Sequence, residues 1–221
     1  MSVAAVIPAL NEEQWIGASI DAARAAGIDE VIVADGGSKD ATVSIAESRG
    51  VRVITGERLR ARQLNRGAAA ATSDAVVFVH ADTRLPLGAA RAISDALRGH
   101  VFGGFRLRFA EPDPRLRVAE TMINVRTAIT KSPWGDQAQF ISRKRFLANG
   151  GFREIPIMED YELAVRMKRS GRTIVLPLHV LTSGRRFLEK GLWKTAAINW
   201  RIIASYRLGA APEELAKLYR D

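Results

Sequence analysis

The feature that most constrains this chain is an alternation, over its first 98 residues, of short β-branched runs with amphipathic stretches. Residues 3–7, 31–34, 51–54 and 76–79 read as strands, and residues 12–26, 42–49 and 60–71 as helices between them. Within 12–26, Trp15, Ile16, Ile20 and Ala23 recur at helical spacing. Residues 76–79 are all apolar, as in a strand covered on both faces. Strands alternating with helices predict parallel βαβ units, in which ligands collect at the carboxyl ends of the strands.

Beyond residue 98 the rhythm changes. Residues 102–109 alternate like an exposed or antiparallel strand, and Pro112-Asp113-Pro114 breaks the chain. Residues 115–131 read as a helix, 140–142 as a short strand, 160–170 as a helix ended by Gly171, and 173–176 as a further strand. The amphipathic segment 188–208 predicts one or two helices. The expected architecture is one α/β domain over residues 1–221, with a mostly parallel sheet flanked by helices. It divides into a nucleotide-binding half (1–98), an acceptor and catalytic half (99–187) and a C-terminal helical segment (188–221). No internal repeat or long linker interrupts it, and a chain of 221 residues with 47% apolar content can bury a sizeable core.

The chain has no cysteine, which excludes disulfides, thiolate metal sites and a cysteine nucleophile. The start of the sequence runs directly into a strand-like segment without the features of a signal peptide, and no apolar run approaches the roughly 20 residues that span a bilayer. These features predict a soluble, cytoplasmic protein. The net charge of +9 is uneven: residues 1–56 hold 4 Lys/Arg against 8 Asp/Glu, so the basic surplus lies further along. Such a surplus suits an anionic partner. The basic residues are dispersed and carry no nucleic-acid-binding signature, so nucleic acid is not the expected partner.

Five clusters can carry chemistry. Pro8-Ala9-Leu10-Asn11-Glu12-Glu13 follows the first strand, and Asn11 is placed to cap the next helix; a capped helix start is the plain alternative to a binding loop. Asp35-Gly36-Gly37-Ser38-Lys39-Asp40 follows the second strand. An acid there can receive a base N–H or a ribose hydroxyl, and the glycines let backbone approach a ligand; an ordinary glycine-rich turn with Asp40 capping the next helix is the competing reading. His80-Ala81-Asp82-Thr83 ends the fourth strand, where an aspartate can hold Mg²⁺ or Mn²⁺ on a diphosphate, or His80 can be a buried hydrogen-bonded residue beside a capping Asp82. Gly150-Gly151-Phe152 precedes Glu159-Asp160 at a helix start, where acids also complement the helix dipole. Thr182-Ser183-Gly184-Arg185-Arg186 presents paired arginines that can clamp a pyrophosphate or simply face solvent.

In order and spacing, these motifs resemble the inverting family 2 glycosyltransferases of the GT-A fold. The match is carried by P-x-x-N-E (Pro8 to Glu12), the acidic turn at Asp35 to Asp40, His80 to Asp82, Gly150 to Phe152 and Glu159-Asp160. The chain is still more similar to short members associated with arsenosugar biosynthesis or radical-SAM/selenodomain proteins, through R-A-x-Q-x-N (Arg60 to Asn65), H-A-D-T, Gly135-Asp136-Gln137, M-E-D and T-S-x-R-R. The resemblance implies a nucleotide-diphosphate sugar donor, with a UDP-sugar favoured, and a divalent metal, Mn²⁺ or Mg²⁺. Pro8, Ala9, Asn11, Glu12, Asp35, Gly36, Arg60, Gln63, Ala81, Arg185 and Arg186 would bind the donor, Asp35 at its base. Asp82 and His80 would hold the metal. Asp160, paired with Glu159, would be the catalytic base, and Gly135, Asp136 and Gln137 would line the acceptor side.

The metal motif opens with His80 where many members have Asp, so His179 or water is a further candidate to complete the metal's shell. The arginines lack the Q-x-x-R-W arrangement of processive synthases. Two alternatives stand beside the transferase reading: a nucleotidyltransferase of related fold, whose glycine-rich basic opening is absent, and a non-catalytic nucleotide-sugar-binding protein, which needs no Asp160. The segment 192–208 mixes Trp193, Trp200 and Tyr206 with Lys194, Arg201 and Arg207. That mixture suits a peripheral membrane contact and a lipid-linked acceptor, whereas packing on the domain or a homodimer seam explains the same pattern.

Overall fold

The computed structural model describes residues 1–220. The first half follows the predicted alternation: β1 (Val3–Ala9), α1 (Ile16–Ala25), β2 (Glu30–Asp35), α2 (Thr42–Ser48), β3 (Arg52–Thr55), α3 (Arg60–Ala70) and β4 (Ala75–Phe78). A two-residue β5 (Thr83–Arg84) and α4 (Ala89–Ala96) lead into β6 (Phe102–Phe109) and the long α5 (Pro114–Thr130). A 3₁₀ turn at Gly135–Gln137 precedes β7 (Phe140–Ser142) and α6 (Arg143–Ala148). The chain closes with α7 (Glu159–Ser170), β8 (Thr173–Thr182), α8 (Arg185–Lys190), α9 (Leu192–Arg207) and α10 (Pro212–Arg220).

One eight-stranded sheet runs through both halves in the order β3-β2-β1-β4-β7-β6-β8-β5. The β3 to β4 portion is parallel, as the βαβ alternation dictates, and β4–β7, β7–β6 and β8–β5 are antiparallel. Successive residues of a strand face opposite sides. Val3, Ala5 and Ile7 of β1 therefore join a core under α1 and α4, while Ala4 and Val6 join a second core with α3, α6 and α7. Full burial of each large aliphatic or aromatic side chain in these layers contributes about 1.5–3 kcal/mol. On the α3 face the packing is close enough that a Cβ at Gly67 would lie 2.3 Å from Val6 Cγ1.

Three expectations are corrected. Asn11 is not a helix cap: α1 starts at Ile16 with no side-chain cap, and Asn11 sits at φ 55 with its Oδ1 accepting from Lys39 N at 2.8 Å. β6 is antiparallel to β7, one of the two expected forms, but it is no edge: it lies between β7 and β8 and runs parallel to β8, its alternation reflecting two outward arginines, Arg106 and Arg108. β8 is ten residues long, not four, because Pro177 does not end it. The register slips between Phe105 and Arg106 opposite Leu176 and His179, and this bulge accommodates a proline that has no N–H to give the ladder. The stretch 188–208 forms two helices, as expected, the end of α8 and all of α9, and α10 follows; Ile202, Ile203 and Leu215 pack on Ile157, Met158 and Tyr161 near the start of α7.

Candidate active site

The carboxyl ends of β1 and β4 open into a cleft of about 440 Å³ whose wall includes Pro8, Ala9, Glu12, Gln63, Ala81 and Arg58. A second cavity, of about 350 Å³, lies toward β6, α7 and α9 and includes Asp136, Asp160, Tyr161, Arg186 and Asn199. The two share Arg60, His80, Asp82 and Arg185, which form a waist between them.

At the waist the Arg185 guanidinium sits between two carboxylates, Nη2 lying 3.1 Å from Glu12 Oε1 and 3.3 Å from Asp82 Oδ2. Burial and the neighbouring Glu12 charge push the Asp82 carboxyl up, with Arg185 opposing them. The Arg185 charge is itself held above its usual range, desolvation being outweighed by Glu12 and Asp82. This is a place of concentrated negative charge already drawing a cation, and its donors are oxygens, which suit a hard divalent ion. Among the described residues no group of three or more His, Asp or Glu is assembled for a metal. One or two carboxylates completed by substrate phosphates is, however, an ordinary way to bind Mg²⁺, so the residues present fit a metal that arrives with a diphosphate.

His80 does not present itself as the partner ligand. Its Nε2 is 3.4 Å from Arg60 Nη1, and a guanidinium only donates, so Nε2 accepts and the proton rests on Nδ1. Burial and the charges of Arg60 and Arg185 depress its pKa to about 3 against the pull of Asp160, so the ring is neutral. His179 is in a separate groove with Arg106, Arg108 and Glu120, away from Asp82.

Arg60 organises the catalytic side. Its Nε bonds Glu159 Oε1, and its Nη2 lies 4.0 Å from Asp160 Oδ2. Desolvation pulls the guanidinium down, but Glu159 and Asp160 overcome it and hold it above the ordinary arginine range. Glu159 is only 2% exposed, so it anchors Arg60 and does not face the cavity. Asp160 does face it, on the first turn of α7, where the helix dipole favours a carboxylate. Its Oδ2 accepts from Gly135 N and its Oδ1 from Tyr161 N, both at 2.7 Å. Gly135 is needed for this approach: a Cβ there would meet Asp160 Oδ2 at 2.8 Å and His80 Nε2 at 3.1 Å.

The remaining predicted residues divide between wall and scaffold. Asp136 lines the cavity, and its Oδ1 is shut off from solvent with no hydrogen-bonding partner. Burial raises its pKa to about 6, with Arg126 opposing and Asp160 adding to the rise. Gln137 is fully buried and off the wall. Its Oε1 accepts from Arg126 Nη2 and Thr127 Oγ1, and its Nε2 donates to Phe105 O, so its amide is engaged with the scaffold. Gln63 likewise spends its Nε2 on Ala9 O and Ala34 O, tying β1 to β2, and Gly36 packs against that side chain. Asp35 is buried, and its carboxylate accepts from Gly37 N at 2.8 Å and from Ser38 Oγ at 2.5 Å; it shapes its own turn.

Arg186 reaches the cavity with its guanidinium carbon 3.4 Å from the Tyr219 ring centroid, its Nε buried and unpartnered. Arg126 is stacked 3.3 Å over the Trp134 ring, and burial lowers its pKa to about 10 in spite of Asp136 and Asp160. Arg58, Arg126, Trp134, Tyr161 and Asn199 were not foreseen; they belong to no local motif and reach the site only through tertiary packing.

Comparisons with known proteins bear on the family and the fold. Glucosyl-3-phosphoglycerate synthase of Mycolicibacterium smegmatis is 33% identical over 93 residues, covering 37% of this chain and 31% of that protein. The same enzyme from Mycolicibacterium paratuberculosis is 37% identical over 93 residues, covering 37% of this chain and 28% of that protein. The chain thus spans about a third of the length of the curated relatives it matches. Among solved structures, Mycobacterium tuberculosis glucosyl-3-phosphoglycerate synthase with Mn²⁺, UDP and glucosyl-3-phosphoglycerate superposes with a TM-score of 0.58 at 23% identity, covering 88% of this chain and 76% of that one. Staphylococcus aureus TarS 1–349 gives a TM-score of 0.66 at 15% identity, covering 99% of this chain and 70% of that one. The model of the family described as "Glycosyl transferase family 2" matches residues 4–150. That is more than half of the sequence and includes the strands that build the cleft, so the chain belongs to glycosyl transferase family 2.

Proposed function

We propose that the protein is an inverting, metal-dependent glycosyltransferase that moves a sugar from a nucleotide-diphosphate sugar, a UDP-sugar foremost, to a hydroxyl acceptor. The observation that carries this reading is the pair of cavities joined at Arg60, His80, Asp82 and Arg185, with the Asp160 carboxylate on the far side of the waist from Pro8 and Ala9. The UDP and Mn²⁺ in complexes of the M. tuberculosis synthase support the same donor and metal class. In this reading the cleft of the 1–98 half takes the nucleoside, and the acceptor sits in the cavity built largely by residues after 99.

A divalent ion held by Asp82, with Glu12 the next carboxylate, would supply positive charge to the diphosphate. Arg185 and Arg186 offset the charge that grows on the leaving group. A uracil N–H reaches Asp35 only by taking the place of the Ser38 hydroxyl on Oδ1. Asp160 accepts the proton of the acceptor hydroxyl as its oxygen attacks the anomeric carbon. The bond from that carbon to the diphosphate breaks, the nucleoside diphosphate keeps the electron pair, and attack from the opposite face inverts the centre. Gly135 N–H holds the accepting carboxylate in place, and Glu159 acts indirectly by fixing Arg60.

The finer grouping with the arsenosugar and radical-SAM/selenodomain-associated members rests on sequence motifs, and the convergence of Arg60, Asp136 and Arg185 on one site supports it. No helix among the described residues is long and apolar enough to cross a membrane. The direct test is thermal stabilisation by UDP-, GDP-, dTDP- and CDP-sugars, each with and without Mn²⁺. A metal-dependent shift with the UDP-sugars that disappears in Asp82→Ala is the expected result. Absence of a shift with every donor overturns the donor assignment.

A further inference from the structure

Two features remain unexplained by donor binding and proton transfer. One is an apolar groove between α5 and α9, lined by Ala119, Met122, Ile123, Ala196 and Trp200, in which Arg126 and Asn199 are the only polar lining residues. It adjoins the catalytic cavity, sharing Ile123, Trp134, Phe187, Asn199 and Ile203 with it. The other is the outer face of α5. Val118, Met122, Val125 and Ile129 follow one another at spacings of four, three and four, which places them on one stripe, and they are 40–76% exposed. Trp193 and Trp200 on neighbouring α9 are exposed as well, at 71% and 59%.

Water-exposed apolar stripes of this extent mark an interaction surface. The charge around them selects the occupant. On α5, Arg115 pairs with Asp113, Arg117 pairs with Glu120 and Arg126 turns onto Trp134, so the basic surplus lies on α9, which carries Lys194, Arg201 and Arg207 and no acid at all. Apolar and tryptophan side chains set among cations match the interface of an anionic bilayer, where indole rings settle at headgroup depth. A second copy of this chain would bring the same positive charge to the contact and is disfavoured by it.

We propose that the acceptor is an amphiphile, with its hydroxyl-bearing head beside Asp160 and its apolar chain in the groove between α5 and α9, taken up from an anionic membrane surface against which α5 and α9 lie. The wall the groove shares with the catalytic cavity ties the two features together: in this proposal a chain leaving the Asp160 pocket passes Trp134 and Ile123 and emerges at Met122 and Trp200, on the exposed apolar face. The inference rests on the transferase reading and adds the substrate class to it.

The test compares octyl glucoside, below its micelle concentration, with methyl glucoside as ligands of the full chain in the presence of UDP and Mn²⁺, read by tryptophan fluorescence. Burial of a few methylene groups predicts octyl glucoside binding about 10–100-fold more tightly. Ala196→Trp, which fills the groove, is expected to abolish that difference. In parallel, the protein is expected to sediment with vesicles of equimolar phosphatidylglycerol and phosphatidylcholine at low salt, not with pure phosphatidylcholine. The Val125→Glu/Ile129→Glu variant is expected to stay in solution. Equal affinity for the two glucosides, or no sedimentation with the anionic vesicles, overturns the proposal. So does a dimer that the Val125→Glu/Ile129→Glu variant splits, since the face would then belong to a second copy. The UDP–Mn²⁺ thermal shift of each variant is recorded separately, and its absence in the wild-type protein counts against the transferase reading, not against the groove.

Discussion

Asp136 is a carboxyl in the wrong place for stability, and replacing it with asparagine measures how wrong. Burial raises its pKa from 3.8 to about 6, and its Oδ1 has no partner. The folded protein therefore holds this proton more tightly than the unfolded chain does. Native stability falls as pH rises from about 4 through about 6, and the full cost is present above that window. At about 1.4 kcal/mol per pKa unit, the ionised group costs the fold on the order of 2–3 kcal/mol at pH 8. Asp136→Asn removes the charge in nearly the same volume. It is expected to stabilise the protein by about 2–3 kcal/mol at pH 8 and by almost nothing at pH 4. For a domain of this size the gain at pH 8 corresponds to a rise in Tm of roughly 4–12 °C. Thermal unfolding of both proteins between pH 4 and pH 8 is the assay. A pH-independent difference, or a destabilised variant at pH 8, refutes the argument. Donor turnover is expected to fall in the same variant, because stability surrendered at a cavity wall is commonly retained for function.

Three further outcomes follow from the geometry. Gly135→Ala forces a methyl group against Asp160 Oδ2 and His80 Nε2, so turnover should drop at least about tenfold while the UDP–Mn²⁺ thermal shift persists; unchanged turnover would mean that the Gly135 contact does not position the base. Glu159→Gln leaves Arg60 without its buried partner and should cost about 1–3 kcal/mol by chemical denaturation, discounted because the Arg60 side chain is 41% exposed; a neutral result would show the pair to be ornamental. His80, with its pKa near 3, stays neutral above about pH 5, so NMR titration from pH 5 to 8 should show no His80 transition. A midpoint near 6.5 would contradict the placement of Arg60 and Arg185 around it.

The legible parts of this molecule are those written in local pattern. β1 to β4 and the helices between them repeat at strand and helix periods, the clusters at Pro8, Asp35 and His80 fall at strand ends that this pattern sets, and Glu159-Asp160 opens a helix. The sequence of β6 is consistent with its antiparallel pairing to β7, but its outward Arg106 and Arg108 also imitate an exposed strand, although its neighbours on both sides are other strands. Pro177 disguised the second half of β8, since a bulge can absorb a proline only when a partner strand shifts with it. Gln63 and Gln137 stand in motifs of the site, but their amides serve the scaffold, Gln63 tying β1 to β2 and Gln137 tying the 3₁₀ turn to β6 and α5, roles only the assembled fold defines. Arg126 and Trp134 could not be read at all, because their stacking joins α5 to the loop before the 3₁₀ turn.

The central claim is that Asp160 takes the acceptor's proton at a site where the donor is bound independently of it. The measurement is release of UDP from UDP-glucose with Mn²⁺, with water or an added alcohol as acceptor, by the wild-type protein and by Asp160→Asn, alongside the UDP–Mn²⁺ thermal shift of each. The account predicts that Asp160→Asn retains the shift and loses about 10²–10⁴-fold in turnover. Near-normal turnover by that variant would remove Asp160 from the role of base and contradict the mechanism.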